Sequence, residues 1–158
     1  MQRPSRTAAA IALAVWGAAG CAPSRAPQPA GPPGGEAAAA AADWGRAERV
    51  EVVMDEYAFR PSRIALRQGQ PTLLRVVNRG ARSHDFTAPA FFAAAATRPG
   101  DPAAAAVRAK GGSVDVPAGE AREIALLPLA AGRFPLDCEK PLHAMFGMEG
   151  EIVVAATP

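Results

Sequence analysis

Gly132-Arg-Phe-Pro-Leu-Asp-Cys138-Glu-Lys-Pro-Leu-His143-Ala-Met-Phe-Gly-Met148-Glu-Gly-Glu-Ile-Val-Val154 places a thiol, an imidazole and a thioether on one loop between two runs of strand-forming residues. His143 follows Cys138 by five residues, and Met148 follows His143 by five more. The runs on either side, Arg133 to Cys138 and Glu151 to Ala155, predict two strands that pin the loop at both ends. A loop held in this way can turn three side chains toward one point.

The same strand signal repeats upstream. Val50 to Met54 is apolar, Arg63 to Leu66 alternates, and Thr72 to Asn78 carries Leu73, Leu74, Val76 and Val77. Ser113 to Val116 and Ala121 to Leu127 follow. Phe59-Arg60-Pro61, Gly69, Pro71, Gly80 and Pro117-Ala118-Gly119 punctuate them. Short strands at this spacing, with Gly and Pro between, predict an all-β sandwich or barrel. Pro135 has no N–H to donate, so its strand is expected to be an edge or a bulge there. Residues 88–111 break the pattern. Ala93 to Ala96 and Ala103 to Val107 have helical composition, separated by Pro99, Gly100 and Pro102. They predict an insertion with one or two short helices.

The first 45 residues have a different character. Arg3 and Arg6 precede an apolar stretch, Ala8 to Ala19, that is too short for a bilayer span and ends in small residues. Residues 1–20 therefore predict an export signal, without the adjacent arginine pair of a twin-arginine signal. Ala18-Ala19-Gly20-Cys21 resembles a bacterial lipobox, with Ala where Leu is usual. That resemblance implies lipidation of Cys21. The alternative is an ordinary cleaved signal with a cysteine nearby. Residues 21–45 are rich in Pro, Gly and Ala and predict a flexible tether. Ala37 to Ala42 has the composition of a helical turn but no apolar face. Residues 46–158 are left as the folded domain, long enough for one small core.

Charge adds an exclusion. The 17 basic and 15 acidic residues nearly cancel, which gives no electrostatic reason to expect a nucleic-acid partner. The chain has two cysteines, Cys21 and Cys138, and two histidines, His84 and His143. If Cys21 carries lipid it cannot pair with Cys138. A lone thiol in an oxidising compartment is then best explained as a metal ligand. Burial of Cys138 as a small hydrophobe is the competing reading.

His84 lies on the loop expected after the Thr72 to Asn78 strand. With it the set becomes two imidazoles, a thiolate and a thioether, the donors of a blue-copper site. Thiolate and thioether stabilise Cu(I), while imidazole serves both oxidation states. A site that fully suits neither state changes little on electron transfer. Structural zinc sites use Cys and His, so the methionine favours copper. Met148 is the expected axial donor and Met145, two residues after His143, is its competitor. Glu139 and Glu149 read as solvated loop acids.

The Cys138 to Gly150 segment resembles the copper loop of plastocyanin-like cupredoxins, in which Cys, His and Met are followed by Gly and a last strand. Phe59-x-Pro61, Gly69 and Asn78-x5-His84-Asp85-Phe86 are similar to that family too. The resemblance runs from about Val50 to Val154, interrupted by residues 88–111. It implies a Greek-key β-sandwich, with His84, Cys138 and His143 as equatorial ligands and Met148 axial to one copper per chain. Asp85 stands where many members have Asn, which leaves the hydrogen bonding around the cysteine open. The resemblance also implies that His143 lies in an apolar surface patch, here Pro141, Leu142, Ala144, Met145 and Phe146, through which electrons pass. The plainer role for Leu142 and Phe146 is packing at the sandwich end.

The expected function is a monomeric electron carrier, lipid-anchored to a membrane of the cell envelope and serving redox proteins there. The alternative is periplasmic copper binding and delivery, which Met- or His-rich runs would favour and this chain lacks. Arg75, Arg79 and Arg82 approach the first histidine loop and are candidates to steer an acidic partner. An enzyme is not expected. Multicopper oxidases and copper nitrite reductases need further histidines, and none remains here for base catalysis.

Overall fold

A computed structural model describes residues 33–157. The export signal over 1–20, Cys21 and the first part of the tether lie outside the described residues. Among the described residues, ten strands form two five-stranded sheets. The first sheet has the order β2 (Ala58–Arg60), β1 (Glu48–Asp55), β4 (Thr72–Asn78), β8 (Ala121–Pro128) and β6 (Ala95–Thr97). The second has β3 (Arg63–Arg67), β10 (Glu149–Ala155), β9 (Gly132–Asp137), β5 (His84–Thr87) and β7 (Ser113–Val116). Pairings are antiparallel except β1 with β4 and β3 with β10. The chain crosses repeatedly between sheets, as expected for a β-sandwich of this class.

Period-two patterning builds the core. In β4, Thr72, Leu74, Val76 and Asn78 are buried while the residues between them are not. From β3, Ile64 and Leu66 face the same interior, and from β10, Ile152 and Val154. Phe59 and Phe86 meet edge to face at 5.9 Å near its middle. Burying each such side chain stabilises the fold by roughly 1.5–3 kcal/mol. Asn78 is the polar exception, and its place at the end of β4 matters for the site.

Residues 88–111 do more than insert helices. The helix α2 spans Pro89–Ala93, and Ala95–Thr97, expected to be helical in part, instead pairs with β8 as the sheet-edge strand β6. The helix α3, Pro102–Ala109, covers the expected Ala103 to Val107 and packs on β8. This cover explains why Ile124 to Pro128 are buried on both faces. Asp101 locks the arrangement. Its Oδ1 accepts from the Ala103 amide at 2.9 Å, capping α3, and its Oδ2 accepts from the Ala125 amide of β8 at 2.8 Å.

Two expectations are corrected. Gly35–Ala41, assigned by composition to the tether, is a helix (α1) that packs against β6 with Ala39 fully buried. An alanine face is apolar without looking so, because each methyl is small. His84, expected on a loop, opens strand β5. Pro135 behaves as its chemistry requires. It lies opposite Glu151 of β10, whose amide donates to Ser62 on the β3 side. The Pro135 nitrogen therefore faces the side of β9 that β5 meets only through Thr87 and Asp137.

Candidate metal centre

Of the four residues expected to be ligands, three lie at the ends of neighbouring strands and one on the loop between two of them. His84 begins β5, Cys138 follows β9, His143 lies mid-loop and Met148 precedes β10. The loop is closed on itself. The Cys138 amide donates to the Met148 carbonyl at 3.3 Å, and the Met148 amide donates to the His143 carbonyl at 3.1 Å. Leu142 adopts φ 70°, a left-handed conformation uncommon for a residue with a side chain, immediately before His143.

These constraints bring three donors together. His84 Nδ1 and His143 Nδ1 are 3.1 Å apart. Cys138 Sγ is 3.4 Å from His143 Nδ1 and 3.9 Å from His84 Nδ1. Metal bonds of about 2.0–2.3 Å to nitrogen and sulfur span up to about 4 Å between two donors, so one ion can touch all three. All three residues are buried. Met148 is fully buried beside them, whereas Met145 is 81% exposed. Burial thus favours Met148 over its competitor for the fourth position. The donor set fits one copper ion: two imidazoles, a thiolate and a soft sulfur in a dry pocket. Glu139 and Glu149 are exposed, as expected of solvated acids, although Glu149 opens β10 rather than lying on the loop.

Burial sets the protonation states. Desolvation raises the Cys138 thiol above its ordinary value, against the opposing pull of the Asp85 and Lys140 amides. Desolvation lowers His84, and the neighbouring His143 lowers it further, against the opposing pull of Glu56, Asp55 and Asp85. Both shifts favour the uncharged thiol and imidazole, so a cation that takes the thiolate must displace a proton.

The second layer is more specific than the sequence suggests. The Asp85 amide donates to Cys138 Sγ at 3.4 Å. The bond to sulfur comes from backbone, so having Asp in place of Asn at this position does not remove it. The Asp85 carboxylate instead meets Lys140 Nζ at 3.3 Å, and Lys140 also donates to Asp115 Oδ1 at 2.8 Å. This ties the ligand loop to β5 and β7. Asn78 holds the other approach. Its amide donates to the Arg82 carbonyl at 2.7 Å and the Val116 carbonyl at 2.8 Å, and accepts from the Gly80 amide at 2.9 Å. Tyr57 packs edge-on against His143 and tilted against Phe146, with both centroids at 4.9 Å. The Lys140 latch and Tyr57 went unnoticed in the sequence, because each contact joins elements far apart in the chain.

Two of the three arginines considered for docking are engaged elsewhere. Arg75 and Arg79 reach Glu51 of β1 at 3.5 and 3.7 Å. The apolar patch is instead open: Leu142 is 60% and Phe146 61% exposed, so neither serves to pack the sandwich end.

The family described as a cupredoxin-like domain matches residues 9–154. No curated protein sequence matches the chain. Among solved structures, a dithionite-reduced auracyanin from Roseiflexus castenholzii aligns with a TM-score of 0.50 at 20% identity, over 70% of this chain and 99% of that one. Auracyanin A, a "blue" copper protein from Chloroflexus aurantiacus, aligns with a TM-score of 0.48 at 21% identity, over 68% of this chain and 98% of that one. A Campylobacter jejuni multicopper oxidase aligns at 14% identity with a TM-score of 0.49, with only 30% of its own chain covered. With 146 residues matched, from 9 to 154, and a two-sheet sandwich that carries the donor set at one end, this chain belongs to the cupredoxin-like domain family.

Proposed function

We propose that this protein is a single-copper electron carrier, in which His84, Cys138, His143 and Met148 would hold the ion. The observation that carries this reading is the buried triangle of His84, Cys138 and His143 donors beneath an exposed apolar patch. Copper held there supplies a one-electron couple. The chain's residues do the rest. The strand ends and the loop between them fix the donors, burial keeps water from them, and His143, 8% exposed, lies directly beneath the exposed Leu142, Met145 and Phe146. An apolar patch of this kind suits a brief encounter with a redox partner. Charging the patch is expected to slow electron transfer and leave the copper unchanged. In Met145→Glu/Phe146→Glu, the self-exchange rate, read from NMR line broadening of mixed oxidised and reduced protein, should fall at least about tenfold. The visible spectrum should match that of the parent protein. An unchanged rate would remove the patch from the electron path.

The second reading, copper delivery, rests on the same ligands but predicts ready loss of the ion. Transfer of Cu(I) to a competing chelator within seconds would favour it. On this reading both histidines serve the site, so no imidazole is left for base catalysis, which favours a carrier over an enzyme.

The domain plan remains an export signal over 1–20, a tether starting at lipidated Cys21, and a folded domain. None of the described helices is long and apolar enough to cross a membrane. On this plan, the lipid and tether hold the carrier at a membrane of the cell envelope. Cys21→Ser expressed in a bacterial host is expected to move the protein from the membrane fraction to the soluble fraction. Retention of the variant on membranes would contradict lipid anchoring.

A further inference from the structure

His84 has a buried nitrogen that the ligand set does not use. Its Nδ1 faces Cys138 and His143, so the ring must carry its proton on Nε2 when Nδ1 binds metal. That Nε2 is buried and has no hydrogen-bond partner among the described residues. Ligating histidines ordinarily offer this proton to a carboxylate, a carbonyl or water. The acid that approaches it is Glu56, whose Oε1 lies 3.8 Å away. That is too long for a direct hydrogen bond, but it is within reach of the carboxylate's charge or of one bridging water.

The placement of Glu56 is built rather than incidental. Its Oε1 accepts from the Ala81 amide at 2.6 Å and the Arg82 amide at 3.0 Å. Gly80 leaves room for it, because a Cβ there would lie 2.6 Å from the same oxygen. Desolvation alone would raise the Glu56 carboxyl, but the Ala81 and Arg82 amides outweigh it and keep the group below its usual value. Asp55, at the end of β1 just before the turn that carries Glu56, adds to the field; Arg60 holds its Oδ2, and its Oδ1 is buried without a partner among the described residues. Asp85, the remaining acid near the ring, shares Lys140 with Asp115, which tempers its charge without cancelling it.

We propose that Glu56 is a positioning residue for His84, whose fixed negative charge behind the ring favours the more highly charged Cu(II) state of the site. This rests on the copper reading above. With Glu56 present, electron density on the Nε2–H side is reinforced and the imidazole becomes a stronger donor. The carboxylate is about one-third exposed, so solvent weakens the effect without removing it.

The test is Glu56→Gln, which keeps an oxygen for the Ala81 and Arg82 amides and removes only the charge. In the copper-loaded protein, the ratio of Cu(II) to Cu(I) affinity should fall about tenfold, seen as a reduction potential about 59 mV higher for one electron. The visible band should persist. A ratio within about twofold of the parent, with the band intact, overturns the role of Glu56 while leaving the copper site standing. Absence of copper uptake by the parent protein overturns both. A second measurement does not depend on the variant folding. Nitrogen-15 NMR of the Cu(I) protein should show His84 protonated at Nε2, with a slowly exchanging proton. An unprotonated Nε2 overturns the proposal.

Discussion

Cys138→Ser is expected to abolish the intense visible absorption of the Cu(II)-loaded protein while leaving the domain folded. The band comes from charge transfer out of a thiolate, and a serine hydroxyl neither ionises near neutral pH nor donates as a soft ligand. His84 and His143 would remain 3.1 Å apart, so weak and colourless Cu(II) binding should persist. The change is nearly isosteric. It removes little buried apolar surface and turns the acceptor of the Asp85 amide from sulfur to oxygen. The expected destabilisation is therefore modest, about 1–2 kcal/mol. Retention of the band in the variant would place the thiolate elsewhere and dissolve the ligand assignment. Loss of fold would show that Cys138 is chiefly a core residue.

Asn78→Asp is expected to do the reverse, damaging the fold first and the site through it. Asn78 is 1% exposed and uses both sides of its amide, donating to the Arg82 and Val116 carbonyls and accepting from the Gly80 amide. Aspartate fills the same volume, so no cavity forms. Two carbonyls then face a carboxylate that has no proton to give at neutral pH. Leaving buried groups unpaired in this way should destabilise the domain by at least about 3 kcal/mol. For a domain of this size that lowers the thermal midpoint by roughly 10 °C or more. The same bonds hold residues 79–83 in place ahead of His84, so Cu(II) affinity should fall as well. Equilibrium unfolding of the metal-free protein measures the first effect. A destabilisation below about 1 kcal/mol would mean that the Asn78 bonds are replaceable by solvent.

The part of this architecture that local chemistry governs was legible from sequence. Thr72–Asn78 and Ser113–Val116 appear as strands with the expected ends, because β-branched residues and Gly or Pro breaks act locally. Cys138, His143 and Met148 were legible for a similar reason, since their spacing on one loop is a property of the chain. His84 could be chosen because the chain has only one other histidine. What stayed hidden depends on distant partners. Ala95–Thr97 has no strand signature, and β8 makes it a strand by pairing. The alanines of α1 show no amphipathic pattern, yet Ala39 is sealed against β6. Glu56 lies 28 positions before His84, in a turn between β1 and β2 that gives no sign of what the carboxylate will face.

The central claim is that one copper ion is held by the sulfur of Cys138 and the Nδ1 atoms of His84 and His143. X-ray absorption at the copper edge of the loaded protein tests it most directly. The account predicts one short copper–sulfur bond and two imidazole nitrogens at about 2.0 Å. A first shell of nitrogen and oxygen alone, with no close sulfur, would contradict it.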